Sequence, residues 1–363
     1  MEFLCLNNPG LRGVTISRLT VINANFEGIL VVSAADVTIS DSSILDNDKT
    51  PGLNFTGETV GCPGQQAFET DETGDCGGAI HLIGVVNSVV SGNQITGNSD
   101  GILISDDTGE SHDNLIIHNT IVDNPLECGI VLGSHPRNGE GGQHPANFPF
   151  SAHFGINHNT IAENVSSRNG VQIGGAGVGL FSDGNGMGTV SDNVIVGNEL
   201  TDNGLGGVDL HTHVGPSFGL PADNMNGNII VGNYISGNLA DTDDTATPGR
   251  VGININSGQG GSPVYNTVIS GNVVTNEDVD VAINTPNEVH VHLNNLLGGK
   301  IGVAYVCAFD KGTACTGAIN GTENFWGCSA GPGGGGCSTV SGPGIAYTPW
   351  LSEKIAKDPR SSH

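Results

Sequence analysis

Apolar residues in this chain fall at every second position over runs of three to five residues, and the runs are separated by Asn and Gly. The pattern Asn-x-Ile/Val-x-x-Asn recurs from Asn93 to Asn98, Asn119 to Asn124, Asn159 to Asn164 and Asn193 to Asn198, is doubled across Asn228, Asn233 and Asn238, and returns weakly at Asn272. A second pattern, Gly-Ile/Val-x-Leu/Ile, alternates with it at Gly28-Ile29, Gly101-Ile102, Gly129-Ile130, Gly207-Val208 and Gly252-Ile253. A side-chain period of two predicts short strands with one apolar face. Asn and Gly between them supply residues that tolerate left-handed backbone. Asn side chains repeated at one register can form hydrogen-bonded ladders.

One rung of this kind cannot bury its apolar face alone, so rungs must stack and share a continuous core. The shortest spacing between Gly-Ile anchors, Ile80 to Ile102, is 22 residues. That is room for three short strands and three turns, one coil of a right-handed parallel β-helix, and the longer spacings predict insertions at one turn. The expected fold is all-β, a single-stranded right-handed parallel β-helix solenoid with loop insertions on one side. It forms a single domain over 1–363, with core coils over about 11–300, a closing segment over 301–363, and insertions at 48–77, 136–155 and 214–226. The period of two argues against a helical solenoid.

Composition narrows the function. Of 363 residues, 11 are Lys or Arg and 37 are Asp or Glu, a net charge of −26. This balance excludes a sequence-independent grip on nucleic acid, which needs clustered cations against phosphate, and argues against docking on anionic lipid. The 58 glycines oppose long helices. No apolar run reaches the roughly 18 to 20 residues of a membrane span. Met1-Glu2-Phe3-Leu4-Cys5 lacks a basic region and a cleavage site, so the chain is expected to begin inside repeat sequence, as a trimmed or mature fragment. Among eight cysteines, three local pairs suggest disulfides: Cys62 with Cys76, Cys307 with Cys315, and Cys328 with Cys337. Zinc is the alternative, but no C-x-x-C pair exists. Disulfides point to a secreted or periplasmic protein. Cys5 and Cys128 are expected to be buried thiols.

With these repeats the whole chain resembles the right-handed parallel β-helix, or pectate-lyase-like, superfamily, in the repeat type shared by NosD-like periplasmic proteins and carbohydrate-active β-helices. The segment Asn324-Phe325-Trp326-Gly327-Cys328, with Gly331-Pro332 and Tyr347-Thr348-Pro349-Trp350-Leu351, is similar to the closing coil of many secreted members. The resemblance implies a fold and a glycan or polysaccharide partner, but no particular reaction.

Aligning the anchors places like positions of successive coils roughly 4.8 Å apart. One residue after the anchor stand His81, Leu103, Val131, Gly179, Asp209 and Asn254; three after, Ile83, Ser105, Gly133, Phe181, His211 and Asn256; five after, Asp107, His135, Asp183 and His213. Asp209, His211 and His213 share one strand face and are expected to form an outward polar row, with Leu210 and Thr212 inward. Asp183 and His135 join from the preceding coils. A His beside a carboxylate is the natural general base near neutral pH. These five residues are the catalytic candidates, able to abstract a proton α to a carboxyl group or to protonate a leaving oxygen. Asp107, Arg137, Phe181, Asn254 and Asn256 are the substrate-binding candidates, Arg137 as a carboxylate clamp and Phe181 as a ring platform beside Phe148, Phe150, Phe154 and Phe218.

His211 and His213 are also spaced to chelate a divalent transition metal, an arrangement repeated at His290 and His292. Asp241-Thr242-Asp243-Asp244 is rich enough in oxygen for calcium. Arg137, Arg168 and Arg250 are the main cations of the central coils, few for a wall against a polyuronate. The Asn-Thr-Asp, Gly-His-Gly and Arg-Ile-Lys signature of polygalacturonases is absent. So is the Asp-Pro-His of alginate epimerases, to which Ser134-His135-Pro136 bears a faint likeness. Three readings follow: a lyase, epimerase or hydrolase of polysaccharide; a non-catalytic glycan- or surface-binding module; and a NosD-like metal-handling protein.

Overall fold

The computed structural model describes residues 2–3, 10–24, 27–47, 78–134, 153–182, 187–212, 216, 219–242, 247–255, 261–284, 288–306 and 317–356. Among these there is no α-helix, and no helix is long and apolar enough to cross a membrane. Every strand pairing is parallel, and each strand pairs with its equivalents one coil before and one coil after. Three sheets result. The first has eleven strands and carries the Gly-Ile anchors, from Glu2–Phe3 through Ile80–Ile83, Ile130–Ser134 and Val208–Thr212 to Thr339–Ser341. The second also has eleven, from Thr15–Ser17 to Ile345–Ala346, and the third has nine, from Thr20–Ile22 to Asn295–Leu297. A three-stranded sheet of Ser111–His112, Ile156–Asn157 and Val190–Ser191 adds a short fourth side. The chain is a right-handed parallel β-helix solenoid.

The anchors are in register: Ile80 pairs with Ile102, then Ile130, Val178, Val208 and Ile253. Ile80 and Leu82, Ile130 and Leu132, and Val208 and Leu210 point into one apolar core that also takes Ile116, Ile161 and Ile195 from the second sheet and Ile121, Leu200 and Ile235 from the third. Parallel pairing runs on past residue 300. Ile301–Tyr305 pairs with Val279–Ile283, and Thr339–Ser341 pairs in turn with Ile301–Tyr305.

Three lines of buried Asn tie the coils together. Between the second and third sheets, Asn93, Asn119, Asn164, Asn198, Asn233, Asn272, Asn294 and Asn324 form one ladder, in which each Oδ1 accepts from the backbone N and Nδ2 of the preceding member. Five residues further on, Asn47, Asn98, Asn124, Asn169, Asn203 and Asn238 form a second ladder, which ends on Glu277. Asn114, Asn159, Asn193 and Asn228 form the third. Each Asn satisfies buried backbone at a turn, where sheet hydrogen bonds run out.

The last coils are closed by Trp326, whose indole has no exposed surface and lies in the core. Gly302 has no Cβ, and one built there would stand 2.7 Å from that ring. The expected disulfide Cys328–Cys337 is present, with Cys337 buried in the same core. The other two expected pairs, and Cys5, lie outside the described residues. A bridge across so short a loop constrains the unfolded chain modestly. Replacing Cys328 and Cys337 together by Ser is expected to lower unfolding free energy by about 2 kcal/mol. The measurement is the guanidinium midpoint; a shift too small to resolve would mean that the bridge adds nothing to the cap.

Candidate functional site

The outer face of the first sheet brings together part of the expected row. Val178–Ser182 and Val208–Thr212 lie side by side, with Gly179 opposite Asp209 and Phe181 opposite His211. The Phe181 and His211 rings are stacked, with centroids 6.0 Å apart and planes inclined by 16°. Asn254 follows Asp209 in the next coil. Adjacent strands carry these side chains because the residues between them, Leu180 and Leu210, are held in the core.

The row is not open to solvent as its outward position suggested. Asp209 is only 1% exposed, and His211 and Phe181 are each 8% exposed. The physical reason lies in the segments that lead into the first sheet, which fold back over it. Gly206 N donates to Asp209 Oδ2 at 2.9 Å, and Asn254 Nδ2 donates to Asp241 Oδ2 at 2.6 Å. Cys128 packs with Leu103, Val131 and Phe181. Its sulfur accepts from Ala176 N at 3.1 Å and lies where a Cβ on residue 179 would meet it at 3.1 Å, so glycine fits there. Burial first, then the neighbouring Glu127 carboxylate, pushes the Cys128 thiol well above its ordinary pKa. This expected buried thiol is unpaired and half-buried as a residue, with its sulfur turned inward. Thr212, expected inward, is fully buried.

Asp107 is fully buried, and neither of its carboxylate oxygens has a hydrogen-bond partner. His135, Arg137, Asp183, His213 and Asn256 lie outside the described residues, as do Phe148, Phe150 and Phe218. Phe154 is partly buried. The second His-x-His is elsewhere: His290 and His292 sit on the outer face of the second sheet, where His290 Nε2 lies 3.6 Å from Glu288 Oε1. Two of the three central arginines are engaged away from the row. Arg168 holds Asp123 through two hydrogen bonds of 2.6 and 2.7 Å, which lowers the Asp123 pKa. Arg250 Nε lies 3.8 Å from Asp278, and Lys300 Nζ lies 2.6 Å from the same carboxylate. Asp241 of the expected calcium loop is buried against Asn254, while Asp243 and Asp244 lie outside the described residues. Among the described residues, no three His, Cys, Asp or Glu side chains gather as a metal-binding group.

One constellation on the same face escaped the sequence reading. His81 and Ser105, four and three coils before His211, converge with Glu27. His81 and Ser105 stand in the aligned columns, but Glu27 lies in the segment before its strand, where no repeat marks it.

Residues 4–140 match the family described as the right-handed beta helix region. No curated protein sequence matches the chain. Among solved structures, a mutant of the periplasmic alginate epimerase AlgG is similar over 94% of this chain and 75% of its own, at 13% identity and a TM-score of 0.52. The Dettilon tailspike protein is similar over 94% of this chain and 63% of its own, at 14% identity and a TM-score of 0.44. At such identities the likeness is one of fold.

Proposed function

We propose that this right-handed parallel β-helix is a secreted or periplasmic protein that acts on a polysaccharide laid along the outer face of its first sheet. The observation that carries the proposal is the Phe181–His211 stack beside Asp209, a flat ring platform adjoining an imidazole and a carboxylate. A similar fold in a periplasmic alginate epimerase supports the same reading, and the Cys328–Cys337 bridge suits an oxidising compartment. Coils spaced at roughly 4.8 Å are commensurate with successive sugars of an extended chain.

In this reading His211 moves a proton, either from the carbon α to a uronate carboxyl or to a leaving glycosidic oxygen, and Asp209 stabilises the charged imidazole. Phe181 holds a sugar ring. His135, Asp183 and His213 are proposed to complete the acid–base set from neighbouring coils. Arg137 would clamp a substrate carboxylate and Asn256 would bind along the groove, whereas Asp107 and Asn254, both enclosed, would support that face from beneath.

The test is a panel of neutral and uronate polysaccharides, followed for unsaturated ends, reducing ends and exchange of the C5 proton with heavy water. His211→Ala is expected to lower kcat about 100-fold with little change in melting temperature. Unaltered turnover in that variant would remove His211 from the chemistry. One observation favours a second reading, a non-catalytic glycan-binding face: the Asp209 carboxylate is closed off and held by Gly206 N. Retention on one polysaccharide with no product from any would favour that reading.

A further inference from the structure

Ser105 Oγ lies 3.0 Å from His81 Nε2, and His81 Nδ1 lies 3.5 Å from Glu27 Oε1. Register pairs His81 with Leu103 and Ile83 with Ser105, so His81 and Ser105 leave the same face of adjacent strands, offset by two residues. Glu27 comes from the segment before Ile29–Val32. Ser105 and His81 are buried, and the Glu27 side chain is only 7% exposed.

Other buried serines meet carbonyls or carboxylates. The hydroxyls of Ser42, Ser88, Ser111 and Ser166 each donate to a backbone carbonyl, and those of Ser134 and Ser182 donate to Asp106 and Asp223. Ser105 meets an imidazole instead. His81 Nδ1 makes no hydrogen bond and has the Glu27 carboxylate within ion-pair reach; in the tautomer that carries its proton on Nδ1, Nε2 presents the lone pair that takes the Ser105 proton. The Ser105 backbone is itself pinned, its carbonyl accepting from Ser111 Oγ at 2.7 Å and from Gly84 N at 3.0 Å. A nucleophile, a base and a carboxylate that orients the base, held in a desolvated place, are the parts of an acyl-transfer site.

We infer that Ser105, His81 and Glu27 form a serine-hydrolase site that cleaves acyl esters, with O-acyl groups on a polysaccharide as the substrate class. The glycan carrier rests on the proposed function; the ester chemistry does not. Ser105 stands in register with Gly133, Phe181 and His211, three coils along the same face. A glycan lying on the Phe181 platform therefore runs toward Ser105. Ser105 Oγ attacks the ester carbonyl carbon as its proton passes to His81 Nε2. The bond to the sugar oxygen then breaks, and Nε2 returns the proton to that oxygen. Water next attacks the acyl-serine, losing a proton to Nε2. Ser105 Oγ departs and regains that proton, and the carboxylic acid is released. Glu27 acts as a positioning residue.

The experiment labels the intact protein with a small fluorophosphonate and follows acetate release from p-nitrophenyl acetate and from a chemically acetylated polysaccharide. Label is expected on the Ser105 peptide. It should be lost in Ser105→Ala, be at least tenfold slower in Glu27→Gln through a lower maximal rate at unchanged half-saturation and be largely restored in Glu27→Asp, and persist in His290→Ala on the second sheet. Wild-type protein that takes no label at Ser105 and releases no acetate from the nitrophenyl ester overturns the inference, and this needs no variant to fold. Acetate release from the nitrophenyl ester but not from the acetylated polysaccharide overturns the glycan carrier. If the polysaccharide reading fails by itself, Ser105 still takes the label.

Discussion

Replacing Asn198 by Ala is expected to lower the unfolding free energy by about 4 kcal/mol, read as a fall in the guanidinium midpoint at unchanged slope. Asn198 Oδ1 accepts from Asn164 N at 2.9 Å and Asn164 Nδ2 at 3.0 Å, while its own Nδ2 donates to Ile161 O at 2.9 Å and Asn233 Oδ1 at 3.0 Å. All of this is buried. The Ala variant keeps the coil but strands the Asn164 backbone N–H and one Asn164 Nδ2 N–H without partners or water. Each orphaned group costs about 1–3 kcal/mol, against about 1 kcal/mol for an ordinary hydrogen bond. A loss under about 1 kcal/mol would show that solvent reaches the turn and that the ladder adds little.

The second large effect is one of pH. The ladder that begins at Asn47 ends on a carboxylic acid. Asn238 N and Nδ2 both donate to Glu277 Oε1, at 3.0 and 3.1 Å, and buried Glu277 Oε2 has no hydrogen-bond partner. Burial raises the Glu277 pKa to about 7, against the lowering effect of the Asn238 bonds and of Arg250; Asp278 adds to the rise. Asp280, fully buried, is likewise pushed well up by burial, with Glu277 adding to the rise and the Gly298 N bond opposing it. An acid whose folded pKa exceeds its unfolded value favours folding most where both states are protonated. Stability therefore falls as pH rises above 4.5, and the Glu277 contribution is fully lost above about 7. At about 1.4 kcal/mol per pH unit, that window is worth about 3 kcal/mol.

Asp278 has the opposite sign. The Lys300 hydrogen bond lowers its pKa, so its contribution is present above the ordinary carboxylate range and lost in stronger acid. Denaturant midpoints at pH 5 and pH 8 should therefore show the wild type weaker at pH 8. Glu277→Gln, which keeps an acceptor and supplies a donor, should remove about 3 kcal/mol of that difference. Equal pH dependence in the two proteins would place the neutral form of Glu277 elsewhere.

The solenoid was legible because its determinants are local and repeated. A period of two fixed which residues face in, and Asn at five-residue spacing fixed the turns, so Ile80, Ile102, Ile130 and Val208 could be aligned from sequence and are found in register. The exposure of the site was not legible. Asp209 and Asn254 do alternate with core residues, but their cover comes from Gly206 and Asp241, in the non-repeating stretches before the first sheet, where periodicity carries no information. Glu27 was hidden for the same reason. No motif marks Asp280 and Glu277 in a chain of −26, and only the stacked coil shows them enclosed.

The ladders also divide the coil into a part that keeps time and a part that is free to change. Asn93 and Asn98, Asn119 and Asn124, and Asn198 and Asn203 are always five apart, whereas successive members of one ladder are separated by 51, 26, 45, 34 and 35 residues from Asn47 to Asn238. Almost all variation in coil length is therefore spent away from the corner where the Asn lines run. Segments along the first sheet can differ in length from coil to coil while the opposite corner preserves the alignment on which every coil depends.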